Sequence, residues 1–394
     1  MKIIYDNVVI NVKKLGSSLM RPLEIIYDNV VIGVILLVEM SLATISDVAK
    51  AAGVSVKTVS RVLNKEPNVQ ASTRERVLRF MRQLDYAPFT AARTMRTKKT
   101  GLIGVITRAI TSVSMTPDRA GLPAVNLLKG IQTVMDQSEM LMMVADTGEN
   151  SANFLKLTQT FREHQVEGIL YVANYHQEFD PPAAFLDIPT VLVNCFDKKK
   201  KFSAVVPDDA EGGYLAAEAV MSKGHRRIGL ITLPETIIAS KQRKAGYIRA
   251  HKERGIILDQ DLISSVGNVD DSPDEEQQKL KKVLQSMLSL EKPPTAICCG
   301  NDKMAMNVYI QLQQWDISIP EQLSIIGFDD YNLISELLNP KLTTVKLPYA
   351  KIGENAASLL IEKIKEGKGK NTTTKMINRL IGPVIWRNSV KEFL

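Results

Sequence analysis

The stretch that decides the fold, residues 44–64, reads Thr44-Ile45-Ser46-Asp47-Val48-Ala49-Lys50-Ala51-Ala52-Gly53-Val54-Ser55-Val56-Lys57-Thr58-Val59-Ser60-Arg61-Val62-Leu63-Asn64. Thr44 and Asp47 have the spacing of a capping box, which predicts a helix running through Ala52. Gly53 then supplies the left-handed backbone that a tight corner between two helices needs. Ser55 is a second N-cap candidate, so another helix is predicted directly after the corner.

A third helix is predicted to start at a further capping box, Ser72-Thr73-Arg74-Glu75, and to end near Leu84. The apolar residues that can form one shared face in the first two helices are Val48, Ala49, Ala52, Val54, Val59 and Val62. Three short capped helices with a glycine corner indicate an all-α helix-turn-helix domain over residues 40–87.

The positive charge of the chain is concentrated in the same region. The whole chain carries a net charge of +7, but residues 40–100 alone hold 12 Lys and Arg against 4 Asp and Glu. The resulting +8 indicates a phosphate-rich partner, although a basic three-helix domain that contacts other proteins is the alternative. With 45% hydrophobic and 24% charged residues, the chain has an ordinary globular composition, which excludes a disordered or collagen-like protein.

In a helix-turn-helix unit the second helix lies in the major groove. There Lys57 and Arg61 can donate to guanine edges, and Val56 can contact a thymine methyl group. The side chains better suited to phosphate oxygens are Ser55, Thr58 and Ser60. For Thr58 and Ser60, a simple place on the helix surface is the alternative.

Apolar runs alternate with amphipathic stretches throughout residues 101–394, which predicts parallel sheets covered by helices on both faces. The strand candidates are residues 102–107, 141–146, 168–173, 189–194, 228–233, 296–300 and 323–329. The helix candidates are residues 124–138, 210–222, 241–254, 274–288 and 301–314. Because this region is long for one sheet, we expect two α/β lobes.

Polar residues lie at the carboxyl ends of the predicted strands or directly after them, at the edge where ligands bind in open α/β sheets. They are Arg108, Asp146, Asn174, Asn194, Asn301, Asp302, Asp329 and Asp330. Amide and carboxylate groups that converge on one cleft suit a ligand rich in hydroxyl groups. Asn301 and Asp330 also stand where helix N-caps belong, so capping is the alternative for both.

Residues 44–64 resemble the DNA-binding headpiece of the LacI/GalR family of bacterial repressors, and the similarity continues through residues 72–77 and 84–88. The resemblance implies DNA contacts from four further residues: Thr44, Asn64, Ala92 and Met95. It also implies that residues 88–100 form a hinge helix that orders on DNA and enters the minor groove. Met95 stands where the family usually has a leucine wedge, and a flexible linker is the alternative reading of this segment.

The rest of the chain resembles the family's regulatory core, a two-lobed α/β domain with the type I periplasmic-binding-protein fold. The matching runs include residues 208–213, 223–228, 243–247, 300–305 and 324–330. Carried over by position, the effector contacts are Asn194, Asp208, Arg243, Asn301 and Asp329. The planar fork of Arg243 can grip two hydroxyls or a carboxylate, with a surface helix charge as the alternative. The family's Asn-Pro-aromatic element is missing after Thr107, so that wall of the pocket is not carried over.

Together these features predict a sequence-specific DNA-binding repressor controlled by a small-molecule effector, a sugar or sugar derivative, bound between the lobes of residues 101–394. We expect a cytoplasmic homodimer on near-palindromic double-stranded operator DNA, without a membrane partner. The 3 cysteines and 4 histidines lack ligand spacing, so no cofactor or metal is expected, and no catalytic motif predicts an enzyme. The alternative is an exported solute-binding protein, which has no use for a basic headpiece.

Residues 1–39 contain a repeat, because Ile3-Ile4-Tyr5-Asp6-Asn7-Val8-Val9-Ile10 recurs unchanged as residues 25–32. Two copies cannot bury a continuous core. The apolar run of residues 30–38 has the length of a signal-peptide core, but the residues before it are charge-balanced and no clear cleavage site follows. We interpret residues 1–39 as an N-terminal extension outside the working fold, with Met40 as the native start.

Overall fold

The computed structural model describes residues 43–64, 66–86, 99–108, 122–138, 140–148, 153–267, 271–366 and 376–393, together with four strands before them. These strands are β1 (Lys2–Tyr5), β2 (Val8–Asn11), β3 (Leu23–Tyr27) and β4 (Val30–Val34). β1 pairs with β2 and β3 pairs with β4, both antiparallel, so each copy of the repeat forms one hairpin. The chain divides into two compact units, residues 1–96 and 97–394.

The first unit contains the three predicted headpiece helices, α1 (Ile45–Ala52), α2 (Val56–Leu63) and α3 (Ala71–Gln83). The capping box of Thr44 and Asp47 is present, and Gly53 has a φ of 63° at the corner between α1 and α2. The hydroxyl of Ser55 accepts a hydrogen bond from the amide of Thr58, as an N-cap does. The buried core residues are Val48, Ala49, Ala52, Val59, Val62 and Val77.

The capping box predicted at the start of the third helix is wrong. Helix α3 begins at Ala71, after Gln70, whose side chain makes no capping hydrogen bond. Ser72 therefore lies inside the first turn, where the backbone is already helical and a side chain cannot act as an N-cap. The predicted end near Leu84 is confirmed.

The second unit consists of alternating strands and helices. Its strands are β5 (Leu102–Thr107), β6 (Leu141–Asp146), β7 (Gly168–Glu178), β8 (Thr190–Phe196), β9 (Ser203–Pro207), β10 (Ile228–Thr232), β11 (Ile263–Ser265), β12 (Ala296–Cys299), β13 (Ser324–Asp329), β14 (Thr343–Lys346), β15 (Ile377–Leu380) and β16 (Val384–Ile385). Its α-helices are α4 (Leu122–Ser138), α5 (Asn153–Glu163), α6 (Asp209–Ser222), α7 (Ile238–Glu253), α8 (Pro273–Leu288), α9 (Asp302–Gln314), α10 (Asn332–Ser335) and α11 (Tyr349–Glu366).

The strands form two six-stranded sheets, which confirms the two α/β lobes. Lobe 1 has the strand order β15-β9-β8-β7-β5-β6 and is parallel throughout, whereas lobe 2 has the order β11-β10-β12-β13-β14-β16 with only β16 antiparallel. The chain crosses from lobe 1 to lobe 2 between β9 and α6, and it returns between β14 and α11, which packs on lobe 1 with α4. It crosses to lobe 2 again between β15 and β16. Residues at these crossings are therefore placed to contact both lobes.

Gly246 allows α6 and α7 to pack closely beside the residues of the candidate site. A Cβ atom at this position would overlap the carbonyl oxygen of Ala210 and crowd the amide nitrogen of Tyr214, and backbone atoms cannot swing aside. We expect Gly246→Ala to lower the free energy of unfolding in urea by about 1–3 kcal/mol, as overpacked cores do. The exposed neighbour Ala245 provides the control, since Ala245→Val should cost about 0.5 kcal/mol. Equal losses in the two variants would contradict this account.

Candidate functional site

Helix α2 of the headpiece has one buried and one exposed face. Val59 and Val62 pack into the headpiece core, so Lys57 and Arg61 lie on the exposed face. Val56, at the start of the helix, is 45% exposed although it is apolar. An apolar side chain beside two cations is a surface that can contact thymine methyl groups, guanine edges and phosphates.

Three hydroxyl groups near this surface have structural partners in the headpiece. Thr44 Oγ1 donates to the carboxylate of Asp47 at 2.7 Å, and this hydrogen bond lowers the pKa of Asp47. Ser55 Oγ accepts from the amide of Thr58 at 3.1 Å and lies 2.9 Å from its hydroxyl. These groups fix the starts of α1 and α2, and the DNA contacts expected of them remain predictions.

The end of α2 carries the remaining predicted DNA contacts. Arg61 forms a surface ion pair with Glu66 at 3.7 Å, and the side-chain amide of Asn64 donates to the hydroxyl of Ser60 at 3.4 Å. A surface pair of this length contributes little stability, so the Arg61 guanidinium can exchange it for DNA. Two predicted contacts lie outside the described residues: Ala92 and Met95.

In the second unit, Arg243 on α7 is buried and held on several sides. Its Nε donates to Asp209 Oδ1 at 2.7 Å, and Nη1 donates to the carbonyl oxygen of Gly300. The guanidinium also lies over the ring of Phe328, 3.7 Å from its centroid. With 7% of its surface exposed, Arg243 is not the surface charge that was the alternative reading. Such a fixed fork can present its remaining N–H groups to a ligand.

Asp209 connects Arg243 to a histidine of the other lobe. Its second carboxylate oxygen lies 2.6 Å from Nδ1 of His176, which is near the end of β7 in lobe 1. Burial alone would raise the pKa of Asp209, but Arg243 and His176 together hold it below its ordinary value. The carboxylate is therefore charged, and it ties the two lobes together through hydrogen bonds on both of its oxygens.

Asp329, directly at the end of β13, faces the same guanidinium. Its Oδ1 lies 4.0 Å from Arg243 Nη2 and is buried without a hydrogen-bond partner among the described residues. Burial raises the pKa of Asp329 to about 8, although the nearby Arg243 opposes the shift. Burial likewise raises the pKa of Asp302 to about 7, against hydrogen bonds from the hydroxyl of Thr344 and the amide of Tyr331.

The other predicted effector contacts differ in what the structure shows of them. Asn194 is buried within β8 and has a φ of 59°, and its Nδ2 donates to the carbonyl oxygen of Ala173 at 3.1 Å. Asp208 is the N-cap of α6 and Asn301 is the N-cap of α9. For Asn301 this is the capping role given as its alternative. Their effector contacts remain predictions.

Three buried polar atoms of this region lack a hydrogen-bond partner within the described part of the chain: His176 Nε2, Asn194 Oδ1 and Asp329 Oδ1. The first two belong to lobe 1 and the third to lobe 2. Leaving a buried polar atom unpaired is costly, about 1–3 kcal/mol each. Asn194 and Asp329 also have positive φ angles, a backbone strain that clusters at binding sites. These features together mark a polar ligand site shared by the two lobes.

Sequence reasoning missed two members of this site, His176 and Asp209. Asp209 stood beside the predicted Asp208, but its position as the first residue of α6 was assigned no role. His176 lies beyond residue 173, where the strand candidate of residues 168–173 ends, and no role is predicted for it from the sequence. Between Ala173 and the end of β7 only Tyr175 is a strong β-former, and Asn174 and Glu178 are of types depleted in strands, so the local sequence gives no clear signal for this extension.

The raised pKa of Asp329 predicts a pH-dependent stability. The folded core keeps a proton on Asp329 up to about pH 8, whereas the unfolded chain releases it near pH 4. The stabilising contribution is therefore complete below pH 4 and is lost as the pH rises through 8. We expect the free energy of unfolding of Asp329→Asn to fall less steeply between pH 5 and 8 than that of the wild type. The exposed Asp136→Asn is the control, and equal slopes for Asp329→Asn and the wild type would refute the assignment.

Among the described residues, no helix combines the length and the apolar character needed to cross a membrane. The same residues contain no group of three or more His, Cys, Asp or Glu side chains placed to hold a metal ion.

Comparison with known proteins identifies two regions of the chain. Residues 44–88 match the family model described as bacterial regulatory proteins, lacI family, and residues 203–390 match a periplasmic binding protein-like domain. The HTH-type transcriptional repressor PurR of Vibrio cholerae serotype O1 (strain M66-2) is 30% identical over 356 residues, covering 89% of this chain and 99% of the relative. Catabolite control protein A of Priestia megaterium is 32% identical over 351 residues, covering 88% and 99%.

A solved structure agrees with this comparison at the level of the fold. The Lac repressor dimer bound to operator and the anti-inducer ONPF matches with a TM-score of 0.71 at 22% identity, over 89% of this chain and 99% of that one. A basic helix-turn-helix headpiece and a two-lobed ligand-binding core define a DNA-binding transcriptional regulator. This chain belongs to the lacI family of bacterial regulatory proteins.

Proposed function

We propose that the protein is a homodimeric repressor whose affinity for operator DNA is set by a polyhydroxylated small molecule bound between its lobes. The observation that carries this proposal is the buried Arg243, held by Asp209 and facing the unpartnered Oδ1 of Asp329. A ligand that hydrogen-bonds to these buried groups removes the free-energy cost of leaving them unpaired, and that gain adds to its affinity.

The chemistry of the site favours hydroxyl groups. Arg243 can only donate hydrogen bonds, whereas Asn194 Oδ1 can only accept them, and both are buried. A hydroxyl both donates and accepts, so a compound with several hydroxyls on a small ring can satisfy atoms of both kinds at once. A sugar or sugar derivative has this pattern.

The position of the site explains how such a ligand controls DNA binding. Asn194 and His176 belong to lobe 1, while Arg243 and Asp329 belong to lobe 2. A ligand that touches all four favours one arrangement of the lobes over others, and a shift of that kind changes the population of the DNA-binding form. Couplings between two such sites are typically about 1–3 kcal/mol, or 5–150-fold in affinity.

On the DNA side, the proposal assigns α2 to the major groove, with Val56, Lys57 and Arg61 at base edges. The sugar-phosphate backbone of the DNA would be contacted by Thr44, Ser55, Thr58, Ser60 and Asn64. The hinge would contact the minor groove through Ala92 and Met95. A two-fold dimer reads a near-palindromic operator. The protein would work in the cytoplasm as a regulator and not as an enzyme, in keeping with the family to which it belongs.

The test of DNA reading is a selection of duplexes from a random pool by the full chain at fixed salt. We expect a dyad-symmetric consensus whose half-sites are about one helical turn apart, 10–10.5 base pairs from centre to centre. Recovery of no consensus, or of one without a dyad, would contradict a homodimeric repressor.

A further inference from the structure

The repeat in residues 1–39 is identical at eight successive positions, residues 3–10 and residues 25–32. In each copy two strands form a hairpin, with Tyr5 opposite Val8 and Tyr27 opposite Val30. Strand pairing of this kind accepts many β-branched and aromatic residues at each position. The hairpin therefore accounts for the types of residue but not for their identity at every position. Such identity indicates a repeated DNA sequence that encodes the peptide.

The codons of residues 5–10 can be examined for symmetry, because the standard genetic code fixes the middle base of each. Residues 5–7 (Tyr, Asp and Asn) all require A in the middle of the codon, and residues 8–10 (Val, Val and Ile) all require T. When the duplex is folded about the junction between the codons of Asn7 and Val8, these middle bases are complementary in every codon pair.

The first and third bases can complete this symmetry. The genetic code allows TAT, GAC, AAC, GTT, GTC and ATA for the six residues, and joined together they give TATGACAACGTTGTCATA. This duplex reads the same on both strands, and none of its 18 base pairs conflicts with the peptide. The same duplex also encodes residues 27–32, because the repeat is unchanged there.

We propose that the DNA encoding residues 5–10 and 27–32 is a pair of operators for this protein, which thereby controls its own gene. This inference rests on the proposed function, since a dimer with two headpieces binds two half-sites about 10–10.5 base pairs apart. A dyad of six codons is long enough for both half-sites. Each half-site, TATGACAAC, offers guanine edges to Lys57 and Arg61 and thymine methyl groups to Val56, the exposed side chains of α2.

The spacing of the two copies permits two dimers to bind at once. Corresponding residues are 22 positions apart, so their codons are 66 base pairs apart. This distance is about six turns of DNA, well over the length of one dyad. Both copies also precede the codon of Met40, the start predicted from the sequence. A protein bound there occupies the DNA immediately before that start, where it can block transcription.

The direct test is DNase I footprinting of the full chain on the natural gene segment that encodes residues 1–40. We expect two protected regions, centred on the junctions between codons 7 and 8 and between codons 29 and 30. In anisotropy titrations at one salt concentration, a natural duplex spanning codons 3–12 should bind about 1,000-fold more tightly than a random duplex of equal length.

A synonymous duplex provides the matched control. Recoding the six codons as TACGATAATGTAGTAATC leaves the peptide unchanged but removes the symmetry at every first and third base. If the repeat acts as DNA, this change should reduce the affinity to that of the random duplex. If it acts only as a peptide hairpin, natural and recoded DNA will bind equally weakly, and the operator assignment is overturned.

The selection from a random pool separates this inference from the proposed function. A selected dyad centred on AACGTT supports both. A selected dyad unrelated to codons 5–10 overturns the operator assignment but leaves the repressor proposal standing. If the full chain selects no sequence at all, both are overturned.

Discussion

Replacing Arg243 with alanine is expected to abolish the response of DNA binding to the effector while leaving binding to the selected operator unchanged. The guanidinium is the buried cation that organises the ligand site through Asp209, Gly300 and Asp329. Loss of charged hydrogen bonds to a ligand should weaken its binding by about 100-fold. The measurement is a thermal-shift screen of the wild type against neutral mono- and disaccharides, followed by operator titrations with any stabilising sugar.

The same variant leaves the carboxylate of Asp209 buried with only His176 as a partner, so the core should also lose about 3–5 kcal/mol of stability. Arg243→Lys keeps the charge and the fold but cannot reproduce the fork, so it should also lose the response. Arg249→Ala on the same helix removes an exposed ion pair with Glu211 and is the control. An undiminished response in both Arg243 variants would refute the site assignment.

Replacing Arg61 with alanine is expected to weaken binding to the selected operator by about 10- to 100-fold, the cost of losing one base-edge contact. Binding to random DNA should change little, because base contacts carry the sequence preference. The side chain lies on the exposed face of α2, and its surface pair with Glu66 contributes little to folding. Anisotropy titrations with both duplexes at one salt concentration measure the difference.

Arg79 on α3 is the matched control for Arg61. It is exposed, carries the same charge and lies over the ring of Phe80 at 5.3 Å. Arg79→Ala should lower the affinities for operator and random DNA by the same small factor, through lost charge alone. If Arg61→Ala behaves in the same way as Arg79→Ala, Arg61 does not read bases.

The headpiece could be predicted from sequence because its signals are local. Thr44, Gly53 and Ser55 each determine the backbone within a few residues of themselves, and the structure shows each in its predicted role. The third helix shows the limit of such reasoning. Ser72 has the right spacing for a capping box, but the helix starts one residue before it.

In the core, the strands that could be predicted are continuous apolar runs, and those that could not are polar or short. Strand β14 has only 4 residues, too few to show a strand pattern, so it was not predicted although threonine is common in strands. Both threonines are buried, where the hydroxyl of Thr344 donates to Asp302 and the amide of Thr343 donates to the hydroxyl of Ser389. Both partners are distant in sequence, so only tertiary structure makes this segment a strand.

The residues of the candidate ligand site were likewise predicted only in part. Arg243 and Asp329 were predicted because matching runs placed them at the right positions. The link between His176 and Asp209 was not, since it joins residues 33 positions apart that belong to different lobes. A contact of that kind depends on how the lobes close, which no spacing in the sequence encodes.

The central claim is that a small molecule in the core controls reading of DNA by the headpiece. It is tested most directly by measuring the affinity of the full chain for its selected operator with and without a sugar that stabilises the core. The account predicts a change of about 5–150-fold in the wild type, in either direction, and none in Arg243→Lys. A sugar that stabilises the wild-type core but leaves its operator affinity unchanged would contradict it.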